Sequence, residues 1–513
     1  MILALGVTFN HFSAPHELEA DSPVPAMNRI RTFRACAGQA LVWGKYTQPT
    51  LETLPAFVLY VEAYFLFNRA AQMNCYILSG VSVRLMIKMG LHRDPSKLAT
   101  ISVFEGEMRR RLWAMATQIE VLVAFHMGLP SLLQGLETDT MGPLNLQDED
   151  FTEETTELPP ERPHAEFTTM TYPVHKSKLL KIFGQIVRQA HALTPASYAE
   201  VMRLDGLLNE AWDNVPSFMK IKPLDQCIGD SPTLLIQRFG LEALYHKSRC
   251  VLHRRFIAEP ILDREHDYSR IQCLEGSMVL LESQAAIWTG TRPGNVLNQC
   301  GWFVTSLAVH DYMLSAMIIY LILQNEHYSE SGVDMEWVKQ DKPLPSREKL
   351  TEMLRNSYSI WTMVASTVGE LRKTADTLSV MLSKLGSPVQ SPDSSSSITN
   401  TARSYGASSG SLSSGVKSGT IFSGSDSGNA SSSAFDGMIY DPATQSKLLF
   451  TNLNLVGTDM SSGLAAISMP PQDTTVPNFP SAGAENENIF GTVEFDSSWM
   501  QMPDAMDWVS DFE

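Results

Sequence analysis

Zinc chemistry needs thiolates held close together, and the chain contains six cysteines. No two of them have the close spacing that places a pair of thiolates on one ion, and their scatter does not suggest a disulfide framework. We therefore predict reduced, mostly buried thiols, no metal site and no cofactor in this chain. The six residues are Cys36, Cys75, Cys227, Cys250, Cys273 and Cys300.

Carboxylates could instead hold magnesium at the acidic segment QDEDF, residues 147–151. Helical enzymes that use several magnesium ions oppose two acid-rich motifs, whereas this segment lies in a proline-bounded loop, residues 143–163, and has no partner motif. The sequence also lacks the glycine-rich phosphate loops, the paired-histidine zinc motif and the nucleophile elbow of common enzymes. We predict no catalytic residue and no enzymatic activity.

The consecutive arginines Arg109, Arg110 and Arg111 could contact phosphate. Successive residues of a helix are about 100° apart, so the three side chains cannot face one phosphate backbone. The net charge of −17 also counts against DNA binding by the whole chain, because such binding needs a concentrated basic face. We predict that one arginine pairs with an internal acid, such as Glu120 or an acid of the loop, and that the other two are solvated.

Helices must position these residues. Apolar residues recur every three to four positions over residues 27–385, which predicts an all-α domain, whereas residues 1–26 hold three prolines and are predicted to be irregular. An apolar run at 302–323 contains Asp311, which favours a buried helix over a membrane span. The predicted helices cover residues 50–68, 77–89, 102–127, 172–192, 197–213, 233–256, 270–289, 302–324 and 346–385.

Particular residues mark the helix ends. Ser102, followed three positions later by Glu105, is a capping-box pattern, and Gly128 is typical of a helix C-terminus. The preceding helix is predicted to end at Gly90, with His92 as a structural cap, because a cation is favoured at a helix C-terminus. The apolar face of that helix is predicted to hold Ile77, Val81, Leu85 and Met89.

Four short motifs follow one another in this region. They are Gly90-Leu91-His92-Arg93, Arg110-Arg111-Leu112-Trp113, Gly128-Leu129-Pro130, and Pro143-Leu144-Asn145 with Asp148. Their order and spacing resemble the fungal-specific transcription factor domain, the middle homology region of fungal zinc-cluster regulators. Two later segments agree, LNEAWDNVPSFM at 208–219 and LEALYHKSRCVLHRRFI at 241–257, so the resemblance covers residues 27–385.

The resemblance implies a nuclear regulator of RNA polymerase II transcription. Family members bind DNA through a six-cysteine binuclear zinc cluster, and we expect that module to be missing from this chain. DNA would then be reached only indirectly or through a missing N-terminal module, and we expect that the chain can form a homo- or heterodimer. Two positions depart from the family pattern: Ala114 replaces a common aromatic, and Glu120 replaces the usual Asp, so a salt bridge there could have altered geometry. An alternative is an adaptor or inhibitor without DNA binding that forms dimers with intact family members.

The composition changes abruptly at Gly386. Residues 386–435 are rich in Ser and Gly and are predicted to be a disordered linker, followed by a disordered tail at 436–513. Residues 485–513 contain eight acids, no Lys or Arg, and interleaved apolar residues. This pattern predicts an activation segment that docks on a coactivator or the general transcription machinery; the alternative is a tail with no partner. Its key aromatic residues are Phe495, Trp499, Trp508 and Phe512.

Overall fold

The computed structural model describes residues 1–67, 72–227, 229–259, 263–304, 308–325, 344–365 and 371–386. All regular structure in these ranges is helical, with fourteen α-helices, so the predicted all-α fold is confirmed. None of the described helices is both long enough and apolar enough to cross a bilayer. The predicted linker from residue 387 onward and the predicted tail, including Phe495, Trp499, Trp508 and Phe512, lie outside the described residues.

The first helices form a small N-terminal layer. They are α1 (Ile2–Ser13), α2 (Pro15–Asp21) and α3 (Ala26–Trp43). The prediction that residues 1–26 are irregular is therefore wrong. Pro15 occupies the first turn of α2, where its missing N–H costs nothing, and the apolar residues Val7 and Leu18 pack against Ile30 of α3.

The next three helices enclose a second core. They are α4 (Thr53–Phe67), α5 (Gln72–Lys88) and α6 (Val103–Met127). The predicted cap residues of α6 are confirmed: the Ser102 hydroxyl accepts a hydrogen bond from the Glu105 amide at 3.1 Å, and Gly128 adopts the left-handed conformation. The Glu105 side chain bonds Arg109, so only the Ser102 half of the predicted capping box is present. The buried core residues include Leu54, Val58, Met86, Leu91 and Trp113.

The predicted buried face of α5 is confirmed in part: Leu85 is buried, and Val81 and Met89 pack against the same core. Ile77 is 55% exposed, whereas Ser79, Ser82 and Met86 are buried. The two serine hydroxyls are hydrogen-bonded, to Glu120 of α6 and to the Leu78 carbonyl respectively. Small hydroxyl residues can therefore face the core here, and a pattern based on apolar residues alone misses them.

The remaining helices build the main core. They are α7 (Thr171–Ala190), α8 (Tyr198–Asp213), α9 (Pro232–His253), α10 (Asp267–Gly290), α11 (Gly301–Val304), α12 (Ala308–Gln324), α13 (Arg347–Ala365) and α14 (Arg372–Lys384). Helix α10 packs against α9, α12 and α13. A Cβ added at Gly276 would lie 3.1 Å from the Cys250 sulfur, so α9 and α10 approach more closely there than a side chain would allow.

The single long helix predicted at 346–385 is wrong. Helices α13 and α14 are separate and pack against each other, which a continuous helix cannot do. The apolar period is present in both segments, and periodicity alone does not reveal that they form two helices.

Candidate functional site

Three of the four family-like motifs converge on the first half of α6, and the fourth, at Gly128, follows its end. Helix α5 ends before Gly90, whose φ of 80° is readily adopted by glycine, and the chain turns so that Leu91 is buried. Asp94 then caps a short 3-10 turn by accepting a hydrogen bond from the Ser96 amide at 3.0 Å. This turn places the Asp94 carboxylate, only 2% exposed as a residue, opposite Arg110.

Asp94 and Arg110 form the centre of the site. Arg110 donates two hydrogen bonds to the carboxylate, from Nη2 at 2.7 Å and from Nε at 3.0 Å. The Met141 amide donates a further bond at 2.9 Å. Burial alone raises the pKa of Asp94, but the hydrogen bonds from Arg110 and Ser96 outweigh it, so the pKa lies well below its usual range.

The two flanking arginines are also paired. Arg109 bonds Glu105 at 2.8 Å and the Met89 carbonyl at 3.1 Å, just beyond the end of α5. Arg111 bonds Asp148 at 2.7 Å and also reaches Glu107 and the Leu146 carbonyl. The prediction that two arginines are solvated is therefore wrong, because the 100° spacing sends each side chain to a different partner. The expected pairing with the acidic loop is found at Asp148, and not at Glu120.

Glu120 has a different role from the predicted salt bridge. Its carboxylate is fully buried and accepts hydrogen bonds from the Ser79 hydroxyl at 2.6 Å and from the Leu132 amide at 2.9 Å. It thus joins α6 to α5 and to the turn after Gly128. In that turn the Pro130 carbonyl accepts a bond from the Tyr76 hydroxyl at 2.9 Å.

The backbone after α5 holds the following segment. The His92 carbonyl accepts bonds from the Thr138 hydroxyl at 2.9 Å and from the Asp139 amide at 3.2 Å. The Asp139 carboxylate lies 2.7 Å from the Lys97 ammonium and 3.7 Å from the Arg93 guanidinium. The cation that reaches the carbonyls at the end of α5 is Arg109, rather than His92 as predicted.

The Pro143 motif continues this attachment. Pro143 is buried, and the following Leu144 amide donates to Glu107 at 3.1 Å. The Asn145 side chain accepts a bond from the Thr168 hydroxyl at 2.6 Å. These contacts form one arginine clasp, defined as Asp94, Arg109, Arg110 and Arg111 with their partners, while Glu120 lies further along α6 and Pro130 lies in the turn after it. The clasp is suited to fixing backbone segments and exposes no reactive group.

A second polar cluster was not predicted from the sequence. The Asp205 carboxylate lies 3.1 Å from His253 Nε2, and His253 Nδ1 lies 2.9 Å from the Ser269 hydroxyl. This order of groups is that of a hydrolase relay, but Ser269 is fully buried inside α10 and cannot meet a substrate. Burial lowers the pKa of His253, which favours a neutral structural histidine. The only sequence signal for this cluster was the Leu-His-Arg motif at the end of α9.

A buried ion pair lies between α9 and α12. Lys247 Nζ is 3.1 Å from the Asp311 carboxylate and 5.4 Å from the centre of the Phe183 ring. Both charged residues are less than one-tenth exposed. Asp311 is thus compensated inside the helical core, where the sequence predicted a buried helix.

Metal-ligand groupings are absent from the part of the chain that the structure describes: no three His, Cys, Asp or Glu residues lie close enough together to hold an ion. Five of the six cysteines are buried and all are free, as predicted for scattered thiols, and only Cys36 is exposed. These residues do not fit the six-cysteine zinc cluster that the family implies.

Comparison with known proteins agrees with the motif order. Residues 2–210, which include the clasp, match the model of the fungal specific transcription factor domain. The match begins within the N-terminal segment that was predicted to be irregular and runs into α8. No solved structure matches the chain.

Curated relatives extend the likeness beyond residue 210. The chain is 31% identical over 384 residues to a Zn(2)-C6 fungal-type transcription factor of Macrophomina phaseolina, covering 75% of this chain and 51% of that protein. It is 32% identical over 383 residues to another Zn(2)-C6 fungal-type transcription factor, from Monascus ruber, covering 75% and 46%. It is also 32% identical over 359 residues to the equisetin cluster transcription factor of Fusarium heterosporum, covering 70% and 50%.

The chain spans about half the length of the curated relatives it matches. The matched family model, the relatives and the four ordered motifs all concern the same helical region. The chain therefore belongs to the family of proteins that carry the fungal specific transcription factor domain.

Proposed function

We propose that this chain regulates RNA polymerase II transcription in the nucleus, with the described helices as its regulatory body and residues 485–513 as its activating end. The observation that carries the proposal is the family domain over residues 2–210. One relative is named as the transcription factor of a cluster, and we extend the proposal to clustered target genes. No enzymatic reaction and no cofactor in this chain form part of the proposal.

The arginine clasp supports an indirect route to DNA. Each of its arginines already engages a carboxylate of the same chain, and the Arg110–Asp94 pair is almost fully buried. Contact with phosphate would require breaking these pairs, which is costly when a buried charge is left behind. We therefore assign the clasp to holding the regulatory body together, and DNA recognition to another module or to a dimer partner.

The composition of the tail supports an activating role. Residues 485–513 contain eight acids and no Lys or Arg, with aromatic residues between the acids. Charge repulsion disfavours collapse of such a segment, so that its aromatic side chains are available to a hydrophobic groove of a coactivator or of the general transcription machinery.

The proposal is tested by fusing residues 436–513 to a neutral DNA-binding module. The fusion should activate a reporter, and changing Trp499, Trp508 and Phe512 to Ala should abolish the activation. A matched control changes Leu449, Phe450 and Leu455, which precede the acidic segment, and should keep most of the activity. Full activity in the aromatic triple variant would contradict the activating role of these residues. An inactive wild-type fusion would favour an adaptor or inhibitor.

A further inference from the structure

Helix α7 carries a stripe of basic side chains that the proposed function does not use. Lys178, Lys181 and Arg188 are exposed, and helical geometry of about 100° per residue places them within one narrow arc, along about 15 Å of the helix. We call these three residues the basic stripe. Helix α7 contains no Asp or Glu.

The basic stripe is not neutralised by its surroundings. Among the described residues, no carboxylate forms an ion pair with Lys178, Lys181 or Arg188. The charge of Arg188 contributes to lowering the pKa of Glu200, but the main cause is Arg203. Arg203 donates hydrogen bonds to both carboxylate oxygens of Glu200, at 2.7 and 2.8 Å, so Glu200 is already paired. The stripe therefore presents uncompensated positive charge on a chain of net charge −17.

The exposed basic residues of α5, α13 and α14 are placed differently. Helix α5 also contains no Asp or Glu, but it exposes only Arg84 and Lys88, and Lys88 donates to the Thr47 carbonyl at 3.2 Å. On α13, Arg355 bonds Glu352 at 2.9 Å. On α14, the basic residues share their short helix with Asp376. Among α5, α7, α13 and α14, only α7 exposes three basic side chains and holds no acid, and it therefore offers a site for an acidic ligand.

The chain itself contains a matching ligand. Residues 485–513 hold eight acids and no base, and apolar residues are spaced between the acids. An apolar contact is available beside the stripe, because Leu193, three residues beyond the end of α7, is fully exposed. The acids of the tail thus complement the positive charge along α7, and its apolar residues complement the apolar surface at the end of the helix.

The tail can reach α7. About 100 residues separate Gly386 from Glu485, and a flexible chain of that length has a root-mean-square end-to-end distance of about 50–60 Å. Tethering at such a distance supplies a high effective concentration, so weak exposed ion pairs can still produce docking within one chain. Such contacts are screened by salt, because all three basic side chains are exposed.

We propose that residues 485–513 dock on the basic stripe of α7 in the same chain, with their carboxylates against Lys178, Lys181 and Arg188 and an apolar residue against Leu193. Reversible docking buries the contacting side chains of residues 485–513 against α7. It goes beyond the proposed function and does not depend on it, since a tail that fails to activate a reporter can still dock.

A zero-length carbodiimide cross-linker tests this directly, because it joins an amine only to a carboxylate in contact with it. In the full chain at low salt, mass spectrometry should find Lys178 and Lys181 joined to acids of residues 485–513, and high salt should remove these links. Lys373 and Lys384 of α14 are the matched control. They are exposed and, among the described lysines, closest in sequence to the tail, so unspecific collapse would link them at least as often.

Charge reversal provides the second arm. The triple variant K178E/K181E/R188E should lose binding of a labelled synthetic peptide of residues 485–513 by tenfold or more, while R372E/K373E/K384E should bind as wild type does. Should the first variant unfold, K178Q/K181Q replaces it. Equal cross-linking at α7 and α14, or peptide binding unchanged by the α7 variants, would overturn the proposal. Binding of a random-sequence DNA duplex to the stripe without tail cross-links would also overturn it.

Discussion

Arg110 on α6 and Asp94 in the turn after α5 form a bidentate ion pair, with N–O distances of 2.7 and 3.0 Å. Both residues are less than one-tenth exposed, and the same carboxylate also accepts a bond from the Met141 amide. One side-chain pair therefore fixes α6, the end of α5 and the segment leading to Pro143. This arrangement explains physically why the family-like motifs occur together.

Replacing Arg110 by Met should lower the free energy of unfolding by about 3–5 kcal/mol, because the substitution leaves the Asp94 carboxylate buried without its cation. Chemical denaturation of the full chain measures the change. The control is Asp148→Ala, whose carboxylate is 67% exposed and pairs with Arg111, and it should cost no more than about 1 kcal/mol. Equal losses of unfolding free energy in the two variants would show that burial does not determine how much an ion pair of the clasp stabilises the fold.

Shortening Glu120 to Asp should also destabilise the chain, by about 1–3 kcal/mol. The Glu120 carboxylate reaches both the Ser79 hydroxyl and the Leu132 amide, and one methylene less leaves a buried donor without its acceptor. Denaturation curves would be compared with those of Glu137→Asp, an exposed residue on the loop after α6. A loss no greater than that of the control would contradict the linking role of Glu120.

Two glycine-to-alanine changes should have opposite signs. At Gly276 the new Cβ would meet the Cys250 sulfur at 3.1 Å and the His246 carbonyl oxygen at 3.3 Å, so Gly276→Ala should destabilise by about 1–3 kcal/mol. At Gly206, inside α8, nothing lies within 4 Å, and the same change should stabilise by about 0.5–1 kcal/mol. Thermal melting measures both, and a stabilising Gly276→Ala would show that α9 and α10 can separate freely.

The lowered pKa of the buried His175 side chain predicts that the folded chain loses stability in acid. Burial, followed by the charges of Lys178 and His164, lowers the pKa of His175 in the folded chain to about 4. An unfolded histidine titrates near pH ~6.5, so between these values the unfolded state binds the proton and the folded state does not, and stability falls as the pH falls.

The corresponding variant is His175→Leu. When the pH is lowered from 7 to 5, the free energy of unfolding should fall by about 2 kcal/mol less in this variant than in the wild type, since one pKa unit corresponds to ~1.4 kcal/mol. His16→Leu, at an exposed position of α2, serves as the control and should leave the pH dependence unchanged. Parallel pH profiles for wild type and His175→Leu would refute the assignment.

The fold was predictable where local physics is decisive. The Ser102 cap, the left-handed Gly128 and the helical period need only neighbouring residues, and the structure agrees with them. The missed features depend on tertiary contacts. Helix α1 is held by packing on α3, and α13 and α14 are recognised as separate helices only because they pack against each other.

Some members of the site were predictable, but Asp94 and the contacts between the members were not. The motif text identified Arg110 and Arg111, yet the partner of Arg110 lies sixteen positions earlier, in a turn whose direction depends on Gly90. The Asp205–His253 contact joins residues 48 positions apart on different helices. No periodic pattern links such pairs, so only the packed structure reveals them.

Tethering the entire chain, residues 1–513, to a reporter promoter through a neutral DNA-binding module tests the proposed function most directly. We expect reporter mRNA to rise in proportion to the amount of tethered chain, and a chain ending at Gly386 to leave it at the basal level. The K178E/K181E/R188E variant should raise the mRNA further if docking covers the tail. No change in mRNA with the tethered full chain, at a nuclear level matching an active control, would contradict a role as a transcriptional activator.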